Sequence, residues 1–150
     1  MRLDQILSGN SVIVFLLIIF LIPTGCERIT DVPADVELLE GEWNVDEQSQ
    51  NFKAANASYR VYISISPQDS SRLQIFNFYH LGNDTEVLAK TDGNRLELLS
   101  NQSVSTSGVT YIIVSGTGII TDDYRNIDWE YKVDDGSGEI DNVTAVYTKL

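Results

Sequence analysis

Two hydrophobic patterns divide the chain. Residues 12–22, VIVFLLIIFLI, are apolar without interruption, whereas from about residue 41 onward apolar and polar side chains alternate with period two. In YRVYISIS, Tyr59, Val61, Ile63 and Ile65 fall on one face and Arg60, Tyr62, Ser64 and Ser66 on the other. NIDWEYKVD sets Ile127, Trp129, Tyr131 and Val133 against Asp128, Glu130, Lys132 and Asp134. Because a strand turns successive side chains to opposite sides, this alternation predicts half-buried antiparallel strands. Reading each alternating stretch between turn signals predicts eight, starting near Gly41, Tyr59, Arg72, Thr85, Asn94, Val109, Arg125 and Glu139. The connections, Gln102 to Gly108 among them, are rich in Gly, Asn, Asp and Ser, which favour turns. None is long enough for a crossover helix, so the expected fold is an all-β, hairpin-linked meander. Closing into an eight-stranded antiparallel up-and-down barrel hides both sheet edges, and a two-sheet sandwich is the alternative. Ahead of the first strand, residues 36–40 (VELLE) predict one short helical turn that stops at Gly41.

Two stretches depart from simple alternation. LQIFNFYHL places Leu73, Ile75 and Tyr79 on one face and Phe76 and Phe78 on the other, while YIIVSGTGII is apolar on both. Their outer residues are expected beneath the N-terminal turn, a loop or a partner. Hairpins alternate between ends, so the connections after strands one, three, five and seven gather opposite the N-terminal turn and form a mouth. The longest of them, Glu47 to Ala57, carries Phe52. Eight strands enclose a space that is either filled by side chains or able to hold one small ligand. Trp43, Tyr111, Trp129, Tyr131 and Tyr147 are available to point inward, and both readings stay open.

The apolar run is a different kind of segment. As a helix its eleven residues reach about 16 Å, against a hydrocarbon core of about 30 Å, so it is too short to span comfortably. With Arg2 before it and Pro23-Thr24-Gly25 after it, the layout is that of a secretory signal peptide. The single cysteine, Cys26, follows directly. It has no second thiol to pair with, and a free thiol on an exported protein invites a use. Leu21-Ile22-Pro23-Thr24-Gly25-Cys26 resembles the lipobox of bacterial lipoproteins. That resemblance implies cleavage between Gly25 and Cys26, removal of residues 1–25, and a diacylglycerol on the Cys26 sulfur. The protein would then be held at the bacterial cell envelope, at the outer membrane, on its periplasmic or surface side. A plain signal peptide or an uncleaved anchor is the alternative. At about 0.8 kcal/mol per buried CH₂, each acyl chain contributes on the order of 10 kcal/mol, and two or more chains make anchoring stable. Residues 26–36, polar and with Pro33, are expected to form the lipidated N-terminus and tether, and residues 37–150 the barrel domain.

Charge narrows the partners. The chain carries 22 acidic residues against 10 Lys and Arg, a formal net charge of −12. Such a surface argues against nucleic acid and against lying flat on anionic lipid.

Gly41-Glu42-Trp43, at the start of the first strand, resembles the G-x-W signature of lipocalins and the wider calycin barrels. Thr121-Asp122-Asp123-Tyr124 falls in the loop between strands six and seven, where lipocalins often carry T-D-Y. The whole mature region looks like the small lipocalin-like lipoproteins common in Bacteroidota. The resemblance implies a lipocalin-like barrel with Trp43 closing its narrow end and residues 47–57 forming a lid over a ligand cavity. The implied function is a lipid-anchored protein that binds a small apolar or amphipathic ligand, with Trp43, Phe52, Tyr111, Trp129, Tyr131 and Tyr147 as candidate contacts. The other class is a protein- or glycan-interaction module with a filled barrel. In its favour, Ser107-Gly108-Val109-Thr110-Tyr111 and Tyr147-Thr148-Lys149 faintly resemble two motifs of membrane-bound lysozyme inhibitors.

Little in the chain suggests reaction chemistry. DDGSGEID copies the middle of an EF-hand loop, but the first and twelfth ligand positions fall on Val133 and Thr144, so it reads as an acidic glycine turn and no metal is expected. His80 is the one histidine, has no Cys or His partner for a metal site, and reads as a surface residue. Asp128 and Glu130 alternate outward. Asn56, Asn83, Asn101 and Asn142 head glycosylation-type sequons that read as polar turns in a bacterial protein. The expectation is a non-enzymatic protein without a cofactor.

Overall fold

The computed structural model describes residues 34–50 and 57–150. The leader with Gly25, the lipidation residue Cys26, most of the expected tether, and Phe52 lie outside the described residues. A single helical turn, α1 (Ala34–Glu37), precedes nine strands among the described residues. These are β1 (Gly41–Ser49), β2 (Ala57–Ser66), β3 (Asp69–Phe76), β4 (Glu86–Asp92), β5 (Arg95–Leu98), β6 (Gln102–Thr106), β7 (Val109–Ile120), β8 (Asn126–Asp134) and β9 (Ile140–Lys149). All pairings are antiparallel, in the order β5-β4-β3-β2-β1-β9-β8-β7-β6, and β5 returns to pair with β7. The sheet is thereby a closed barrel. β5 and β6 lie in tandem along β7, Arg95–Glu97 opposite Thr117–Ile119 and Gln102–Thr106 opposite Val109–Ile113. They share one position in the wall, so the barrel has eight.

One expected connection is therefore a strand. Residues 102–108 open with β6, whose single apolar residue, Val104, is buried. Its first residue also mends the wall where β4 and β6 have no ladder. The Gln102 side-chain amide accepts from the Leu88 N–H at 2.6 Å and donates to the carbonyls of Leu88 at 2.8 Å and Leu99 at 2.7 Å.

Elsewhere burial follows the period-two pattern. β8 and β9 alternate between buried and exposed along almost their whole length. Trp43, Val45, Ile63, Leu73, Ile75, Leu96, Ile113, Ile127, Trp129 and Tyr147 are among the side chains packed fully inside. β7 makes room for the two largest on β8. Gly116 and Gly118 lie opposite Tyr131 and Trp129, and a Cβ on Gly118 would sit 2.9 Å from the Trp129 ring. The stretch that looked apolar on both faces is thus a glycine-floored shelf for aromatics, with a register shift between Ile113 and Ser115 changing its phase.

The barrel end beside α1 is closed. Trp43 Nε1 donates to the Leu39 carbonyl at 3.0 Å, and Lys149 Nζ lies 5.6 Å from the centre of the Trp43 ring while donating to the Leu38 carbonyl. Val36, expected at the end of the tether, is 2% exposed and belongs to the core, so the packed body starts before residue 37. The Thr121–Tyr124 turn also lies at this end, with Thr121 Oγ1 donating to Asp123 Oδ1 at 2.6 Å.

Candidate functional site

Strand phase carries a carboxylate into the opposite end. The inward positions of β1 run Trp43, Val45, Glu47, and Glu47 is 7% exposed. Tyr59 of β2 donates its hydroxyl to Glu47 Oε2 at 2.5 Å, and Tyr131 of β8 donates to the same oxygen. No hydrogen bond reaches Oε1 from the described residues. Tyr147 of β9 is fully buried within electrostatic reach of Glu47 and Tyr59, yet its hydroxyl makes no hydrogen bond of acceptable geometry, and neither does Trp129 Nε1. Buried polar atoms without partners are rare in folded proteins and costly, so each calls for an explanation. Burial pushes the Glu47 carboxyl above its ordinary range against the pull of its two tyrosine hydrogen bonds; nearby Asp141 adds to the rise and His80 opposes it. Burial and the carboxylate push the three phenols up, so all are protonated at neutral pH.

A second carboxylate lies at the same end. Asp141 of β9 is 3% exposed and accepts from Ser49 Oγ at 2.6 Å and from the Tyr79 hydroxyl at 2.7 Å. Tyr79 belongs to a strap between β3 and β4 that dips into the barrel. Asn77 begins it in the left-handed region (φ 61°), donating through Nδ2 to the Arg60 carbonyl at 2.7 Å and accepting the Gly82 N–H at 2.8 Å. Tyr79 and His80 also have positive φ, which costs a non-glycine residue about 1 kcal/mol or more each. This break in strand geometry reverses the expected outward placing of Phe78. Its ring is fully buried, 4.6 Å from that of Tyr131 and edge-on to Trp129 at 6.1 Å. His80 is exposed and stacks on Tyr59 with ring centres 5.0 Å apart.

Of the sequence-predicted contacts, Trp129, Tyr131 and Tyr147 converge, and Tyr111 joins them through an edge contact with Tyr79 at 6.3 Å. Trp43 closes the other end and is not part of this group. Phe52 lies outside the described residues. Glu47, Tyr59, Phe78, Tyr79 and Asp141 were not singled out by sequence. The inward phase of Trp43-x-Val45-x-Glu47 and of Asp141-x-Val143-x-Ala145-x-Tyr147 was the signal that could have found both acids. The two stretches compared with lysozyme-inhibitor motifs are separated: Ser107-Gly108 turns at the mouth, and Lys149 covers Trp43. In the loop read against an EF-hand, Asp134 and Asp135 accept the backbone N–H groups of Gly136 at 2.8 Å and Ser137 at 2.9 Å, as in an ordinary acidic turn. Asp128 and Glu130 are exposed, as expected. Asn83 and Asn101 lie in turns, whereas Asn142 sits on the exposed face of β9 and Asn56 lies outside the described residues.

Two open grooves, of about 720 and 570 Å³, run along the outer wall over β1, β7, β8 and β9, and share Gln48, Thr117, Glu130 and Thr144.

Fold and site together define a closed eight-stranded antiparallel barrel with a carboxylate and aromatic cluster buried at its mouth. No protein-family model and no curated protein sequence matches the chain. Among the described residues, no helix is long and apolar enough to cross a membrane.

Proposed function

We propose that this chain is a lipid-anchored protein of the bacterial envelope whose lipocalin-like barrel takes a small amphipathic ligand at its mouth. The observation that carries the binding half is the Glu47 group, a buried carboxylate held by two tyrosine hydroxyls beside a third with no partner, capped by an inserted phenylalanine. A barrel that only needed a core would place apolar side chains there, since they pack without leaving polar groups unpaired. The aromatic filling below this level argues against a large apolar cargo deep inside. It leaves the mouth as the seat. The anchoring half rests on the lipobox resemblance at Leu21–Cys26.

Native mass spectrometry of the full lipidated chain, released from bacterial membranes in mild detergent, tests the binding half. A small-molecule adduct is expected on the wild type and is expected to be lost on Glu47→Gln. Protein recovered without adduct, and unshifted in melting temperature by a library of small amphiphiles, would count against it.

A second reading, glycan recognition by the outer wall, is favoured by the groove of about 720 Å³, lined by hydroxyl, amide and carboxylate side chains including Gln48, Thr117, Glu130 and Asn142. Glycan-array binding that Gln48→Ala with Glu130→Ala abolishes and Glu47→Gln leaves intact would select it.

A further inference from the structure

The hydrogen-bond inventory of the mouth cluster defines the chemistry of what it accepts. Tyr59 and Tyr131 both spend their protons on Glu47 Oε2, so what their phenol oxygens have left is acceptor capacity. Glu47 Oε1 adds further acceptor capacity; the Tyr147 hydroxyl, fully buried and without a partner, can both accept and donate, and Trp129 Nε1–H is an unspent donor. Acceptor sites outnumber the two unspent donors here, so the best complement is a group that donates more than it accepts. Aromatic rings lie about it: Tyr131, Tyr147, Trp129 and the inserted Phe78 pack edge-on or tilted against one another, and Tyr59 stacks on His80. Rings lend their negative faces to cations, and a carboxylate among them completes the match. The net charge of −12 raises the local concentration of cations around the molecule. Phe78 supplies the remaining element, because its ring already occupies, between Trp129 and Tyr131, a space of the size an apolar ligand body would need.

We infer that the mouth is a cage for a small organic ammonium, whose charged head meets Glu47 and the three tyrosine oxygens while its apolar body replaces the Phe78 ring. The inference rests on the mouth-binding reading and deepens it by naming the ligand class. The strap that carries Phe78 is the moving part. Asn77 anchors it at one side, and the left-handed residues Tyr79 and His80 lie just beyond the ring.

Three probes that share a phenyl body and differ in the head test it on the full chain in detergent by titration calorimetry and tryptophan fluorescence. They are 2-phenylethylamine, 2-phenylethanol and 3-phenylpropanoate at neutral pH. The amine is expected to bind on the order of tenfold tighter than the alcohol, and the carboxylate weakest. Glu47→Gln, which keeps an acceptor and loses the charge, is expected to bring the amine to within about threefold of the alcohol, whereas Phe78→Ala should tighten the amine. Tyr147→Phe removes one acceptor with little change in volume and should weaken the amine a few-fold, so the test stands even if Glu47→Gln folds poorly. Equal binding of amine and alcohol, both tightened by Phe78→Ala, would overturn the ammonium assignment and leave mouth binding in place. Failure of all three probes to bind either the wild type or Phe78→Ala would overturn both.

Discussion

Glu47 occupies a strand position whose phase calls for an apolar side chain, and its ionisation is the most revealing property of the barrel. The groups facing it come from several elements: Tyr59 on β2, Tyr131 on β8, Tyr147 and Asp141 on β9, and His80 on the strap. Because burial raises its pKa in the folded state, the native barrel holds the Glu47 proton more tightly than the unfolded chain does. The stabilisation linked to that proton is fully present below the unfolded value of about 4.3 and is lost as pH rises through the folded value. Glu47→Gln removes this dependence. Relative to the wild type, its urea midpoint should therefore rise between about pH 4 and pH 7, and a difference that stays constant with pH would contradict the burial argument. At the closed end, Trp43→Ala should cost about 3 to 5 kcal/mol in equilibrium unfolding, since it empties a core site and frees the Leu39 carbonyl. Trp43 was legible because a tryptophan at the start of the first strand has one reasonable place to go. Glu47 and Asp141 were harder to read: their inward phase is in the sequence, but an acid beside polar residues at a strand end has the same composition as the start of a loop.

Elements were readable in proportion to how far one face differs from the other. β8 and β9 alternate cleanly and lie where the pattern placed them. β6 did not announce itself: Gln-Ser-Val-Ser-Thr has one apolar residue and is bounded by turn residues, so it carries a turn composition while making a strand ladder to β7. Phe78 was misplaced for a different reason. The left-handed backbone at Asn77 resets the phase, and no periodicity survives such a break. β7 shows how an element is shaped by its neighbour. Gly118 exists for the ring of Trp129, so Gly118→Ala should overpack the interior, with Cβ contacts of 2.9 Å to Ile127 Cγ2 and to the indole. The expected loss is about 1 to 3 kcal/mol by thermal or chemical unfolding. An unchanged midpoint would mean that the Trp129 ring has freedom to shift, which its full burial argues against.

At the scale of the whole molecule, the ends of the barrel have different tasks. α1 and the start of β1 lie at the Trp43 end, so a lipid on Cys26 would attach there and turn the mouth away from the anchoring bilayer. With Val36 already packed, fewer than ten residues separate Cys26 from the body. On that proposed arrangement, a mouth turned toward water would suit a charged, soluble ligand better than one drawn from the lipid. The prediction specific to this arrangement concerns the thiol. In a bacterial host fed an alkyne fatty acid, the wild type should take up label and stay in the membrane fraction through a high-salt wash, because on the proposed reading acyl chains and not charge would hold an acidic protein there. Cys26→Ser should lose the label and keep residues 1–25, a mass difference that intact-protein spectrometry resolves. If the serine variant is cleaved and still pellets, the retaining group is something other than a lipid on residue 26, and the outward orientation of the mouth has to be argued afresh.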